Sequence, residues 1–234
     1  MGISRGPSPI VTDGLVFAAD AGNPRCYTSG SATGIDLISD ITLSPINDTV
    51  YDSAGGGCWK FGGTDSTIGI GTTQLITDAA AFTVEAWVNL DNFTVTYPVV
   101  FTSKTNNAQN WRLIFSSNPS YGDISFGSQS SFALGKTGDI SITTDTWYHV
   151  IVTFNGNSST TLSDYKMYVN SEEKSLLAAG GYGPDADNGA IGSEGDGTNN
   201  EWDGYIASVK VYNKELSLSE IKQNYNSQKV RFGL

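Results

Sequence analysis

Residues 201–221 read EWDGYIASVKVYNKELSLSEI, and within them the spacing of apolar residues changes from that of a strand to that of a helix. Apolar residues first occupy alternate positions, which predicts a strand with one apolar face made of Tyr205, Ala207, Val209 and Val211. They then recur at helical spacing, which predicts a helix over 217–227 with one apolar stripe made of Leu218, Ile221 and Tyr225. A strand followed directly by a short helix is therefore expected near the end of the chain.

The junction between these two elements carries the residues that start a helix. Ser217 is placed to cap the helix N-terminus, and Glu220, three residues later, completes a capping box. Leu216 precedes the cap and can pack onto Ile221 as a hydrophobic staple. This boundary is the best defined local prediction in the sequence.

Upstream, segments of alternating apolar and polar residues recur roughly every ten to fifteen residues, with Gly and Asn turns between them. The clearest one, 82–88, predicts a central strand whose core face is made of Phe82, Val84, Ala86 and Val88. The chain has 27 glycines and only 16% charged residues, which suits many short strands joined by tight turns. We therefore predict an all-β fold of two packed antiparallel sheets with one short C-terminal helix.

The 234 residues are within the range of a single all-β domain. Pro, Gly and Ser residues mark 1–13 as an extended N-terminal arm, which either lies along the domain or docks onto a neighbour. The sandwich, including the helix, is predicted over 14–228. Residues 229–234 form an apolar C-terminal tail that either tucks against the same domain or inserts into a partner.

The net charge of -11 disfavours binding to nucleic acids and to anionic membranes. No stretch of about 18 apolar residues is present for membrane insertion, and the N-terminus lacks the apolar core of a secretory signal. We therefore expect synthesis and assembly in the cytosol. Cys26 and Cys58 are expected to be reduced thiols there, and their spacing fits no zinc motif.

Residues that could support hydrolysis are few. His149 is the single histidine, and it lies on a strand face without a nearby carboxylate pattern, so a catalytic triad is not expected. Glycoside hydrolysis needs two carboxylates, whereas the strongest core strand has only Glu85, which we expect to pair with a basic or hydroxyl group at a sheet face. The sequence therefore predicts a protein that is not an enzyme and has no catalytic residues.

The richest polar cluster is the loop 192–203, GSEGDGTNNEWD. Its oxygen-bearing side chains are the kind that calcium prefers, and its tryptophan could be a platform for a sugar ring. The candidate ligand-binding residues are Glu194, Asp196, Asn199, Glu201, Trp202 and Asp203. Calcium is one alternative and a solvated loop without an ion is the other, because the spacing matches neither the EF-hand nor the nonapeptide calcium pattern. Trp87, Trp111 and Trp147 are expected to be core or sheet-face residues.

Four segments carry a resemblance: 14–24, 82–88, 147–154 and the strand-to-helix ending. With them, the chain resembles the laminin-G-like, or concanavalin A-like, jelly-roll family in the form found in tailed-phage virion proteins. The resemblance implies a jelly-roll sandwich and raises the prospect of calcium and glycan binding at rim loops. Relatives often carry an aspartate pair where this chain has Ala207 and Ser208, which argues against an ion site there.

The resemblance implies a non-catalytic bacteriophage structural protein located in the virion, as a capsid, neck or tail decoration or a fibre component. Its expected partners are other virion proteins, with host-surface glycans as a further contact and a homo-oligomer, such as a trimer, as an option. The terminal arms would anchor it to its neighbours. The alternatives are a free, calcium-assisted carbohydrate-binding lectin and a glycoside hydrolase.

Overall fold

The computed structural model of the protein describes residues 8–76, 80–104, 110–117, 123–128, 132–136, 141–157, 162–179, 189–195 and 199–234. Within these residues the strands are β1 Leu15–Asp20, β2 Gly34–Ile35, β3 Thr42–Ile46, β4 Val50–Asp52, β5 Cys58–Gly62, β6 Thr67–Gly71, β7 Phe82–Leu90, β8 Val99–Lys104, β9 Asn110–Phe115, β10 Ile124–Ser128, β11 Phe132–Lys136, β12 Trp147–Phe154, β13 Tyr165–Val169, β14 Glu172–Lys174, β15 Leu176–Ala179, β16 Gly189–Ile191 and β17 Asp203–Tyr212. One α-helix, α1 Leu218–Gln228, follows them, and short 3-10 helices lie at Ala54–Gly56, Leu162–Asp164 and Lys229–Phe232.

The described strands form two antiparallel sheets. The first sheet has eight strands in the order β14-β13-β12-β7-β17-β5-β4, and β1 pairs with the second half of β17. The second sheet has nine strands in the order β15-β11-β10-β9-β8-β16-β6-β3-β2. The predicted all-β sandwich of the concanavalin A-like jelly-roll type, with one short C-terminal helix, is confirmed.

The main hydrophobic core lies between the two sheets, because each central strand turns alternate side chains inward. On β7 the inward residues are Phe82, Val84, Ala86 and Val88, and all four are buried as the alternation predicted. β7 is buried along its whole length, since the helix end of the chain covers much of its other face. The strand therefore has two buried faces, one apolar and one that carries Glu85 and Trp87.

The predicted apolar face of β17 is wrong in its first half. A β-bulge shifts the pairing of β17 with β7 between Ile206 and Ser208. Because a bulge inserts one residue, the side chains before it change faces relative to those after it. Ile206, Val209 and Val211 consequently point into the main core, whereas Tyr205 and Ala207 lie on the outer face of the eight-stranded sheet.

The helix begins as predicted, with Ser217 and Glu220 forming a reciprocal capping box. Leu216 and Ile221 are both buried in the small cluster beneath the helix, which confirms the staple. The predicted stripe is only partly correct, because Leu218 is exposed and Asn224 is fully buried in its place. A polar residue can occupy that position since its amide meets polar groups of the sheet below.

The described part of the N-terminal arm lies along its own domain. Val11 is buried, its N–H donates to Asn224 Oδ1 at 2.7 Å, and its carbonyl accepts from the Tyr212 hydroxyl at 3.1 Å. Gln223 of the helix also donates to the Pro9 carbonyl at 2.7 Å. Residues 1–7 lie outside the described part of the chain. Residues 9–11 and the helix thus hold each other against the sheet.

The C-terminal tail also packs against its own domain. Of the two predicted alternatives, packing on the same domain or insertion into a partner, the structure has the first. Phe232 is buried, and its ring stacks on Trp87 with 4.1 Å between the centroids. Arg231 pairs with Asp20 at 2.9 Å and donates to the carbonyls of Gly55 and Gly57. Gly57 has a φ of 114°, and a Cβ there would lie 2.6 Å from the Gly22 Cα, so this turn admits only glycine.

Both cysteines are free and buried, as expected, and they lie on opposite faces of the eight-stranded sheet. Burial raises the pKa of the Cys26 thiol to about 11 and that of Cys58 to about 12, so both thiols stay protonated at neutral pH. In the described residues, none of the helices has the length and apolar character needed to cross a membrane.

Candidate functional site

The loop between β16 and β17 contains the predicted ligand-binding residues, and its first acid is already paired. Glu194 is buried, and its Oε1 accepts from Arg112 of β9 and from Asn200, each at 2.7 Å. Ser193 donates to the Thr67 hydroxyl of β6 at 2.7 Å. These bonds tie the start of the loop to the nine-stranded sheet, so the Glu194 carboxylate serves the loop's own structure.

The other predicted residues that the structure describes do not converge on one surface. Trp202 is 0% exposed and meets Phe115 edge-on with 5.1 Å between the ring centroids, so the prediction that it lies in a solvated loop as a sugar platform is wrong. Glu201 is buried, Asn199 is exposed, and Asp203 lies partly buried at the start of β17. Asp196 is outside the described residues. Ligand binding by the remaining loop residues stays a prediction.

The composition of the same loop predicts calcium binding as one alternative. Among the residues that the structure describes, no group of three or more His, Cys, Asp or Glu is placed to hold a metal ion. Calcium binding by this protein stays a prediction that needs its own measurement.

A buried set of ionisable side chains lies on the outer face of the eight-stranded sheet, under the helix. Glu85 of β7 is 0% exposed and Lys210 of β17 is 2% exposed, and their side chains form a 2.8 Å ion pair. Asn224 of the helix donates to the second Glu85 oxygen at 2.6 Å. The expectation that Glu85 pairs with a basic group at a sheet face is confirmed.

His149 and Gln228 complete this buried charge cluster. His149 of β12 is fully buried, with its Nε2 3.2 Å from Glu85 Oε1, and its ring stacks on Trp87 at a centroid distance of 4.6 Å. Gln228 of the helix accepts from Lys210 at 2.9 Å and from the Trp87 indole at 3.1 Å. The cluster of Glu85, His149, Lys210, Asn224 and Gln228 is therefore closed by the C-terminal segment.

Burial and the neighbouring charges in the cluster together leave the pKa values of Glu85 and His149 below their ordinary values. Burial raises the pKa of Glu85, but the Lys210 ammonium and the hydrogen bonds with His149 and Lys210 together outweigh burial and hold that pKa far below its ordinary value. Burial lowers the pKa of His149 below its ordinary 6.5, and the nearby Lys210 acts in the same direction against Glu85. Glu85 is therefore charged and His149 is neutral at pH 7.

We expect the free energy of unfolding to decrease as the pH falls below about 6.5. In that range the single histidine becomes protonated in the unfolded chain, whereas the buried His149 of the folded chain stays neutral. This difference lowers the free energy of unfolding by at most about 1.4 kcal/mol per pH unit. Below about pH 4.5, Glu85 adds a second loss, because its stabilisation exists only while it is ionised. Urea unfolding followed by tryptophan fluorescence from pH 8 to pH 4 measures both.

His149→Phe is the control for this pH dependence, since it keeps an aromatic ring against Trp87 and removes the titration. The variant should lose the slope between about pH 6.5 and 5 while keeping the loss at lower pH. An unchanged slope in the variant would show that another group is responsible.

The outer face of the nine-stranded sheet has an open groove of about 620 Å³. Its lining is uncharged and consists of Ile41, Thr42, Ser44, Ile46, Gly69, Ile70, Gly71, Thr73 and Gly195. A Cβ at Gly69 would meet only the Ser44 carbonyl oxygen, at 4.0 Å, so a larger side chain can project from this position. Gly71 has a φ of 71° and does not accept one without strain.

A row of side chains crosses the outer face of the eight-stranded sheet just beyond Phe232. Residues directly opposite in antiparallel pairs share a face, and the register aligns Trp147 of β12, Asn89 of β7, Tyr205 of β17 and Lys60 of β5. We call these four residues the aromatic row. The two rings are 6.4 Å apart between centroids, and Lys60 lies 4.3 Å above the Tyr205 ring and pairs with Asp91.

The sequence did not predict this row. The sequence pattern predicts only that Trp147 lies in the core or on a sheet face, and it predicts the wrong face for Tyr205 because the bulge in β17 has no clear pattern in the sequence. The four residues come from four strands, and only the register between those strands brings them together. No local signal could have identified them as a group.

The two antiparallel sheets and the hydrophobic core between them define a β-sandwich domain. The chain belongs to the concanavalin A-like lectin/glucanases superfamily, because residues 61–222 match the family model described as Laminin_G_3. No curated protein matches the sequence.

Solved structures with the same fold have low sequence identity. Trypanosoma rangeli sialidase with the inhibitor DANA has a TM-score of 0.66 and 16% identity over 97% of this chain, which spans only 36% of the sialidase. Domain 4 of AbnA, a GH43 extracellular arabinanase from Geobacillus stearothermophilus in complex with arabinotriose, has a TM-score of 0.62 and 18% identity over 90% of this chain and 98% of that domain. The botulinum neurotoxin type G receptor binding domain has a TM-score of 0.55 and 14% identity, over 92% of this chain and 52% of that one.

Proposed function

We propose that this protein is a non-catalytic, carbohydrate-binding module that acts as an adhesive structural part of a bacteriophage particle. The observation that carries the non-catalytic assignment is the closure of the buried charge cluster. Glu85 and His149 are both 0% exposed, beneath Asn224 and Gln228 of the helix. A general acid or base must reach the bond that it acts on, and a substrate cannot reach these groups while the helix is in place.

Carbohydrate binding is supported by the family and by one neighbour of matching size. Superfamily members include lectins and glucanases by the description of the family. The domain 4 of AbnA that the chain covers almost completely was solved with arabinotriose. Because one fold serves many functions, these likenesses support the proposal only together with a surface that suits a sugar. In the part of the chain that the structure describes, the uncharged groove and the aromatic row are the candidates for such a surface.

The virion location rests on the sequence resemblance and on the net charge of -11, which suits an exterior surface that must stay soluble at high density. The described arm residues and the tail are folded onto their own domain, so residues 228–234 are not free to act as an anchor. Under this proposal, neighbouring subunits are contacted through the folded surface or through residues 1–7.

The enzymatic alternative is tested by comparing binding with turnover on the same sugars. We expect the purified chain to bind glycans on a printed array and to release no reducing sugar from the glycans that it binds, arabinotriose included as a first probe. Repeating the binding with calcium and with EDTA separates the calcium-assisted lectin from a calcium-independent one. Release of reducing sugar by the wild-type chain would contradict the proposal.

The virion part is tested separately by mass spectrometry and cryo-EM of purified particles. Stoichiometric, symmetric copies on the shell, neck or tail are the expected result. Glycan binding by a protein that is absent from particles would favour the second candidate function, a free lectin.

A further inference from the structure

We propose that the aromatic row is the saccharide-binding site of this protein and that it takes a short, neutral saccharide. The inference rests on the proposed carbohydrate-binding function and assigns it to one surface. That surface is the part of the eight-stranded sheet next to the C-terminal segment, where Trp147 contacts Phe232 at a centroid distance of 4.6 Å.

The row combines the two kinds of group that sugar recognition needs. Trp147 and Tyr205 are partly exposed, so their rings offer apolar surface to the C–H faces of a sugar. Between them, Asn89 supplies an amide, and Lys60 with Asp91 supplies a donor and an acceptor at one end. A few fixed polar groups among aromatic surface is the usual composition of a small-ligand site.

An unpartnered acceptor in the row points to a ligand. Asn89 is only 9% exposed, and its Oδ1 is buried without a hydrogen-bond partner in the structure. A buried oxygen without a donor is destabilising, so such groups are rare unless something supplies the donor. A sugar hydroxyl that inserts between the Trp147 and Tyr205 rings would supply it, because this oxygen has almost no accessible surface while the rings are in place.

The charged side chains at the Lys60 end of the aromatic row disfavour an anionic ligand. Lys60 is already paired with Asp91, and Asp203 lies beside this pair, where burial raises its pKa and Asp91 acts in the same direction. An acidic sugar would therefore lie near the carboxyl groups of Asp91 and Asp203. The row offers it no unpaired positive charge, because Lys60 is already paired. Four neighbouring strands span about 14 Å at a spacing of about 4.8 Å, which fits a short oligosaccharide.

The test compares variants of the full chain on a printed array of neutral and sialylated glycans, followed by calorimetry with the strongest neutral glycan. We expect Asn89→Leu to weaken binding at least tenfold while its unfolding midpoint stays equal or rises, because the substitution removes an unsatisfied oxygen at similar volume. A purely structural asparagine would give no loss of binding. Tyr205→Leu should weaken binding as well, since it removes one ring.

Gly69→Tyr is the matched control, because it fills the groove on the other sheet and leaves the row unchanged. Binding that is lost in Gly69→Tyr but kept in Asn89→Leu and Tyr205→Leu would overturn the site and leave the proposed function standing. Binding restricted to sialylated glycans would overturn the ligand class. A wild-type chain that binds no glycan would overturn both the site and the proposed function.

Discussion

Lys210→Met is expected to destabilise the protein by roughly 3–5 kcal/mol at pH 7. Lys210 is 2% exposed and donates to Glu85 at 2.8 Å and to Gln228 at 2.9 Å. Methionine fills much of the space but leaves the Glu85 carboxylate buried without its counter-charge. Since a domain of this kind has about 5–15 kcal/mol of stability, the loss is a large part of the total. Urea unfolding followed by tryptophan fluorescence measures it.

Two controls identify the cause of this loss. Glu85→Gln with Lys210→Met should recover much of the stability, because neither buried charge remains. Lys166→Met removes an ammonium that pairs with Glu215 at 2.8 Å but is 45% exposed, and it should cost less than about 1 kcal/mol. A loss below about 1 kcal/mol in Lys210→Met would mean that water or a rearranged helix compensates Glu85.

Trp202→Ala should also cost roughly 3–5 kcal/mol, since a fully buried indole is replaced by a methyl group and leaves a cavity. The indole packs on Phe115, and the backbone of Trp202 bonds to Gly192 at 2.7 Å and to Gly63 at 3.1 Å. Loss of glycan binding in this variant would therefore report a damaged fold. Thermal unfolding and urea unfolding are the measurements.

Trp202→Phe is the conservative partner of this variant. The Trp202 Nε1 has no hydrogen-bond partner in the structure, so phenylalanine removes volume without breaking a bond, and the cost should be clearly smaller than for alanine. A Trp202→Ala protein with the wild-type unfolding midpoint would show that the side chain is not part of the core.

In the buried charge cluster, the sequence predicts the face on which a residue lies but not its partners. The alternation in β7 placed Glu85 and Trp87 on the face opposite to the apolar core, and the structure confirms it. The partners of Glu85 come from β12, β17 and the helix, at separations of 64, 125 and 139 residues along the chain. Sequence periodicity gives the face of a residue on its own strand, but it does not give the neighbouring strand or its register.

For the loop 192–203, composition alone predicts the wrong exposure. Its composition is that of an exposed, ligand-binding turn, yet Glu194 and Trp202 are buried by contacts to Arg112 and Phe115 of β9. Local composition reports what a segment could bind, whereas burial depends on which strands lie beside it.

By itself, the sequence determined the elements that depend on near neighbours along the chain. These are the alternating strands, the capping box at Ser217 and the two-sheet fold class, because their causes lie within a few residues. The tertiary structure decided the bulge in β17, the closure of the charge cluster by the helix and the alignment of the aromatic row. Each of these depends on the pairing of distant strands, whose register is set by packing across the whole sandwich.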